Sequence, residues 1–201
     1  MLLSPSVAKT VYIKISHLRE EIATYCIAPG RLDLSVEDFQ RIVGKAYDIE
    51  ITKQIVPFEG ELLRGLVERY EDRALIYIRR QLSSDEQRFT AVKELCHIVI
   101  DEKEDWSNDG VATIGGLMFE YSIDNNEEAN RMIQSEIWAE IAAIELMYPY
   151  DDRVNDHTRL DNGTTSIQVI AGQHAIPASI VSRAQAESFH KMTTQIWDML
   201  E

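Results

Sequence analysis

Between residues 66 and 100 the hydrophobic period of the chain switches from strand-like to helix-like, and that switch limits which folds are open to it. Leu66–Tyr70 and Ala74–Arg79 are β-type runs on either side of the polar turn Glu71-Asp72-Arg73, the pattern of a hairpin or small sheet. Ser83-Ser84-Asp85-Glu86 follows as a helix-start signal. From Glu86 to Ile100, residues Phe89, Val92, Leu95, Cys96 and Val99 then share one side of a helix. Strands leading into a strong helix predict an α+β fold, and a four-helix bundle should lack them.

The flanks read as mostly helical. Val11, Ile15, Leu18, Ile22 and Tyr25 predict a helix over 7–27, stopped by Pro29-Gly30. Ser35 caps a second helix, with Val36, Phe39, Ile42, Val43 and Ala46 as its apolar stripe, and Ile49, Ile51 and Ile55 continue in an extended rhythm. Residues 101–125 are acidic and rich in Gly and Asn, which predicts a loop with one short strand at Leu117–Tyr121. The acidic run Asp101–Asp105 reads as solvated loop. A long helix should run from Glu127 to Met147 and end before Pro149. A polar loop is expected over 150–164, then helices over 166–173 and 177–200. The expected organisation is one domain over 1–201: a helical extension (1–30), a core (35–150) and C-terminal helices (165–201).

Composition narrows the function classes. With 20 basic and 34 acidic residues among 201, the net charge is −14 and the pI about 4.8, which disfavours a protein that coats nucleic acid. No apolar run approaches a bilayer span, and no basic-then-apolar leader is evident. Two cysteines, Cys26 and Cys96, make no disulfide framework and suit a reducing cytoplasm.

The stretch that carries chemistry is Arg88-Phe89-Thr90-Ala91-Val92-Lys93-Glu94-Leu95-Cys96-His97. In zinc peptidases with a His-Glu-x-x-His helix, two histidines four apart lie on one face and hold the metal, while the Glu activates its water. Here Glu94 and His97 are in register, with Lys93 where the first histidine would stand. Alone, Glu-x-x-His is common and weak, and a solvated polar helix face is its plainer reading. A second stretch adds context: Glu136-Ile137-Trp138-Ala139-Glu140 runs on through Ala143, Leu146 and Met147 to Pro149. The two stretches together resemble the ImmA/IrrE (DUF955-like) metallopeptidase family, over roughly residues 35–150.

The resemblance implies a zincin-like domain, mostly helical, with a small sheet beside the motif helix. It implies that Glu94 matches the general base, His97 the second histidine ligand, Glu136 the third zinc ligand and Glu140 an acidic residue that orients a ligand histidine. The missing ligand is at Lys93. A lysine ligates only as the neutral amine, and bringing its pKa from about 10.4 to 7 costs roughly 4–5 kcal/mol. The expectation is therefore a degenerate zinc site in which the ammonium supplies positive charge between Glu94 and Glu136. Such a protein would act by interaction on a polypeptide such as a transcriptional repressor, in a phage, mobile-element or stress context. The alternative is an active zinc endopeptidase that cleaves the repressor, its third ligand recruited from Cys96 or from a distant histidine such as His157 or His174. Packed cysteine and surface histidine are the plainer readings of those three.

Two other classes stay open. Glu94-x-x-His97 and Glu187-x-x-His190, with Glu136 or Glu140 between them, have the motif order of a di-iron carboxylate bundle. Ile167, Ile170, Ala171, Ile176, Pro177, Val181 and Arg183 have helix-turn-helix spacing, although few basic residues accompany them.

Overall fold

Ser83 begins the central helix as its position predicts. In the computed structural model its hydroxyl accepts from the Glu86 backbone N–H while the Glu86 carboxylate accepts from the Ser83 N–H, a reciprocal capping box. The structure describes residues 5–23, 35–58, 63–106 and 127–198. Helix α1 (Pro5–Ala23) and helix α2 (Val36–Tyr47, capped by Ser35) precede strands β1 (Glu50–Val56), β2 (Gly65–Arg69) and β3 (Arg73–Arg79). The motif helix α3 (Ser84–Ile100) and a short 3-10 turn at Lys103–Asp105 come next. Then follow α4 (Glu127–Met147), α5 (Tyr150–Asp161), α6 (Ile167–His174), α7 (Ala178–Ala184) and α8 (Glu187–Asp198).

The sheet order is β1-β3-β2. β2 and β3 form the expected hairpin, antiparallel from Gly65 opposite Ile78 to Arg69 opposite Ala74. β1 joins β3 in parallel, with Glu50 opposite Arg73 and Val56 opposite Arg79. Along β3 the side chains alternate as pleating requires: Ala74, Ile76 and Ile78 are buried and their neighbours are not. That buried row faces the core shared with Phe39 and Val43 of α2, Phe89, Val92 and Leu95 of α3, and Ala139, Ala143 and Leu146 of α4. α3 lies against both the sheet and α4, so the motif residues sit at a helix–helix seam beside strand β2. This is the expected α+β arrangement, mostly helical with a small sheet beside the motif helix.

Two expectations need correction, and two more fall outside the described residues. Residues 150–161 form helix α5 rather than a polar loop. The helix expected over 177–200 is two helices, α7 and α8, broken at Gln185 and Ala186. The break is tertiary in origin: the Gln185 amide donates to the Tyr148 hydroxyl and to the Arg153 carbonyl, and its oxygen faces His157. The strand at Leu117–Tyr121 and the stop at Pro29-Gly30 fall outside the described residues.

Candidate functional site

Helical spacing puts Lys93 and His97 on one face of α3, one turn apart, with Glu94 beside them. Across the seam, α4 presents Glu136 to the same face. The Lys93 ammonium donates to Glu136 Oε2 at 2.7 Å and lies 3.0 Å from Glu94 Oε1. His97 Nε2 lies 3.3 Å from Glu136 Oε1, out of line for a good hydrogen bond, and that nitrogen is otherwise without a partner. Lys93, Glu94, His97 and Glu136, four of the residues singled out in the sequence, thus converge. The Glu94 side chain is 2% exposed and the Glu136 side chain 61%, so the cluster opens to solvent on the α4 side.

The charges are set by this geometry. Burial by itself would lower the Lys93 pKa, but Glu94 and Glu136 outweigh it and hold the amine above its usual range, hence as ammonium. Burial raises the Glu94 carboxyl, against the opposing pull of Lys93 and His97. Burial also works against a charged His97, yet Glu136 and Asp101 overcome it and lift the ring to about 10. Glu136 gains enough from His97 and Lys93 to fall below the usual carboxylate range despite desolvation.

Two participants were missed in the sequence. Asp101, assigned there to a solvated loop, has a side chain only 11% exposed; its Oδ2 accepts from His97 Nδ1 at 2.9 Å. Ser135 donates to Asp101 Oδ1 at 2.7 Å and lies 3.1 Å from the same ring nitrogen. The signal for Asp101 was available: it stands four residues after His97, one helical turn on. Glu140, one turn along α4 from Glu136, is engaged by the Arg183 guanidinium of α7 instead of by any group on α3.

Strand β2 reaches the site through a glycine. A Cβ on Gly65 would sit 2.7 Å from Glu94 Oε1 and would collide with the Thr90 methyl. The Gly65→Ala variant should therefore lose about 1–3 kcal/mol through overpacking. That corresponds to a fall in Tm of roughly 2–4 °C per kcal/mol in a chain of this size. Thermal unfolding measures it; an unchanged midpoint would mean that Glu94 can retreat.

Cys96 is fully buried in the core cluster, and burial pushes its thiol well above the usual range, so it offers no thiolate to the seam. His157 lies in α5 and stacks on His190, while His174 faces the Met147 carbonyl and the Tyr148 ring; its side chain is only 9% exposed. Neither is a free loop histidine. Glu187 pairs with Lys191 and His190 stacks on His157, so the second Glu-x-x-His is used elsewhere and the di-iron arrangement is not formed. Helices α6 and α7 do form two short helices around a turn at Ala175, but Ile170, Ala171, Ile176, Ile180, Val181 and Ala184 are buried in the core. Arg88 ties this turn to the start of α3 by donating to the His174 and Ala175 carbonyls at 3.0 Å each. Among the described residues, no three His, Cys, Asp or Glu side chains are grouped so as to hold a metal ion, and no helix is long and apolar enough to cross a membrane.

Comparison with known proteins finds a family match. The family model of peptidase M78, described as an IrrE N-terminal-like domain, matches residues 46–165, from the end of α2 past α5 and across every residue of the Lys93 cluster. No curated protein matches the chain.

Proposed function

Because the chain belongs to the peptidase M78 (IrrE N-terminal-like) family, we propose that it is a metallopeptidase-like protein with a degenerate zinc site. It acts as a regulatory interaction protein on a polypeptide, such as a transcriptional repressor, in the cytoplasm. One observation carries the reading: Lys93 stands where the resemblance puts the first histidine ligand, and its ammonium sits 2.7 Å from Glu136 and 3.0 Å from Glu94. A catalytic zinc needs three protein ligands and an open position for water. Here two of the expected donors, His97 and Glu136, remain, and the charge that a metal would supply is already supplied by the amine. The donor set does not fit a three-ligand zinc.

The polypeptide partner is supported by the sheet. β2 is an edge strand among the described elements, next to α3 and meeting it at Gly65. An edge strand carries a row of main-chain donors and acceptors that an extended peptide can pair with, whether or not the neighbouring site cuts it.

The purified protein should hold far less than one zinc per chain. Its Tm should differ by less than about 1 °C between excess chelator and excess zinc, since a ligand that does not bind the native state cannot stabilise it. Mixed with a repressor from its own genome, it should form a complex without new fragments. Zinc near one per chain, with fragments that disappear in Glu94→Gln, would establish the active endopeptidase instead.

A further inference from the structure

The C-terminal helix α8 is held by a run of rings that includes two titratable ones. His157 of α5 and His190 of α8 stack face to face, centroids 5.1 Å apart and planes within 7°. Tyr150 lies nearly parallel to His190 at 6.2 Å and packs on Trp197 at 5.5 Å, which meets Tyr12 of α1 edge-on at 5.8 Å. Beyond these rings, α8 is attached by Thr193 and Ile196, which are buried, by Phe189 and Met192 against the core, and by a Tyr150–Thr194 hydroxyl contact at 3.1 Å.

We propose that the His157–His190 stack is an acid-sensitive latch: with the His190 ring neutral it clamps α8 onto α5 and α1, and with that ring protonated it lets α8 go. The inference is independent of the peptidase-like site.

The two rings have different partners. The Gln185 amide N–H group is committed to Tyr148 and Arg153, so its oxygen accepts from His157 Nδ1 at 3.1 Å. That leaves His157 Nε2 with a free lone pair, 3.8 Å from Asp161 Oδ2. A proton on His190 is placed against the stacked His157 ring and near the Arg153 guanidinium, which lies over Phe189 and Tyr150 at 5.7 Å from each ring. Among the described residues, no carboxylate is paired with His190 to balance this proton. Glu145, the acid nearest Arg153, already accepts from Arg153 and Arg19, and Glu187 of α8 is paired with Lys191. Burial, then His157, then Arg153 hold His190 below the usual histidine range in the docked state. A base whose docked pKa is depressed takes up its proton on release. Docking therefore weakens as the pH falls through about 6.5, and the released fraction grows up to about tenfold per pH unit until the docked pKa is passed.

Hydrogen–deuterium exchange of the full chain between pH 7.5 and 5.0, corrected for intrinsic rates, tests this. Protection of residues 187–198 should fall at least tenfold relative to α3 in the same sample. In His190→Phe, which keeps a ring in the stack but cannot titrate, the ratio should stay constant. A flat ratio in the wild type, or an equal fall in His190→Phe, overturns the latch. Should that variant fail to fold, the wild-type imidazole resonances decide: His190 must titrate below the ordinary histidine range and together with the loss of α8 protection, and an ordinary titration overturns the proposal.

Discussion

Lys93→His should convert a protein with little zinc into one that carries about one zinc per chain. The substitution removes an ammonium that bridges Glu94 and Glu136 and puts an imidazole one turn from His97 on the same helix face. Glu136, with an exposed side chain, is free to turn from the amine to a metal. With the amine gone, the seam holds Glu94, Glu136 and Asp101 around His97, an excess of negative charge that favours a dication. At a free zinc concentration of about 100 times Kd the native state gains roughly 2.7 kcal/mol. In a chain of this size that is a rise in Tm of roughly 5–10 °C. Lys93→Met is the control: it removes the charge without offering a ligand, so it should bind no zinc and should lose about 3 kcal/mol for the buried Glu94 carboxylate left unpaired. The measurements are metal analysis and unfolding midpoints with and without chelator. If Lys93→His takes up no zinc although it folds, the seam is not a vacated metal site and the ligand correspondence fails.

How much of this could be read from residues alone depended on whether the determining contacts were local. The cap at Ser83, the hairpin and α3 are local, and so they were legible; so was the relation of Lys93, Glu94 and His97, which needs only the helical repeat. Glu136 came through the family resemblance, since no periodicity links positions 43 residues apart in sequence. The parallel pairing of β1 with β3 is a long-range choice that no turn signal announces. Asp101 was misassigned because an acidic run is usually solvated, and its i+4 relation to His97 carried less weight than its composition. Gly65 was passed over because its reason is a neighbour across the fold, the Glu94 carboxylate, and not a turn. α5 was missed for a deeper reason. Its buried residues are Arg153 and Asp156, while Val154 is 37% exposed, so its polarity pattern is close to the reverse of an amphipathic helix.

That inversion makes Arg153 the residue whose loss should damage the fold most. Arg153 is 1% exposed. It donates to Glu145 Oε2 at 2.8 Å and to the Tyr148 carbonyl at 2.6 Å, so one guanidinium joins the end of α4 to α5 across the Pro149 corner. Glu145 in turn accepts from the Tyr150 backbone N–H at 3.1 Å and from Arg19 of α1 at 3.2 Å. In Arg153→Met the carboxylate stays buried with only a half-exposed Arg19 beside it, and the Tyr148 carbonyl loses a donor. The expected cost is about 3–5 kcal/mol, the usual penalty for breaking a buried pair from one side. In Tm this is a fall of roughly 6–20 °C. The penalty arises from an uncompensated charge more than from lost attraction. Glu145→Leu combined with Arg153→Met should therefore recover part of the loss, because a neutral pair of similar bulk leaves nothing charged in the corner. Denaturant unfolding of the two single variants and the double variant closes the cycle. A single-variant loss below about 1 kcal/mol would show that water reaches this corner and that α5 is held by its apolar contacts instead.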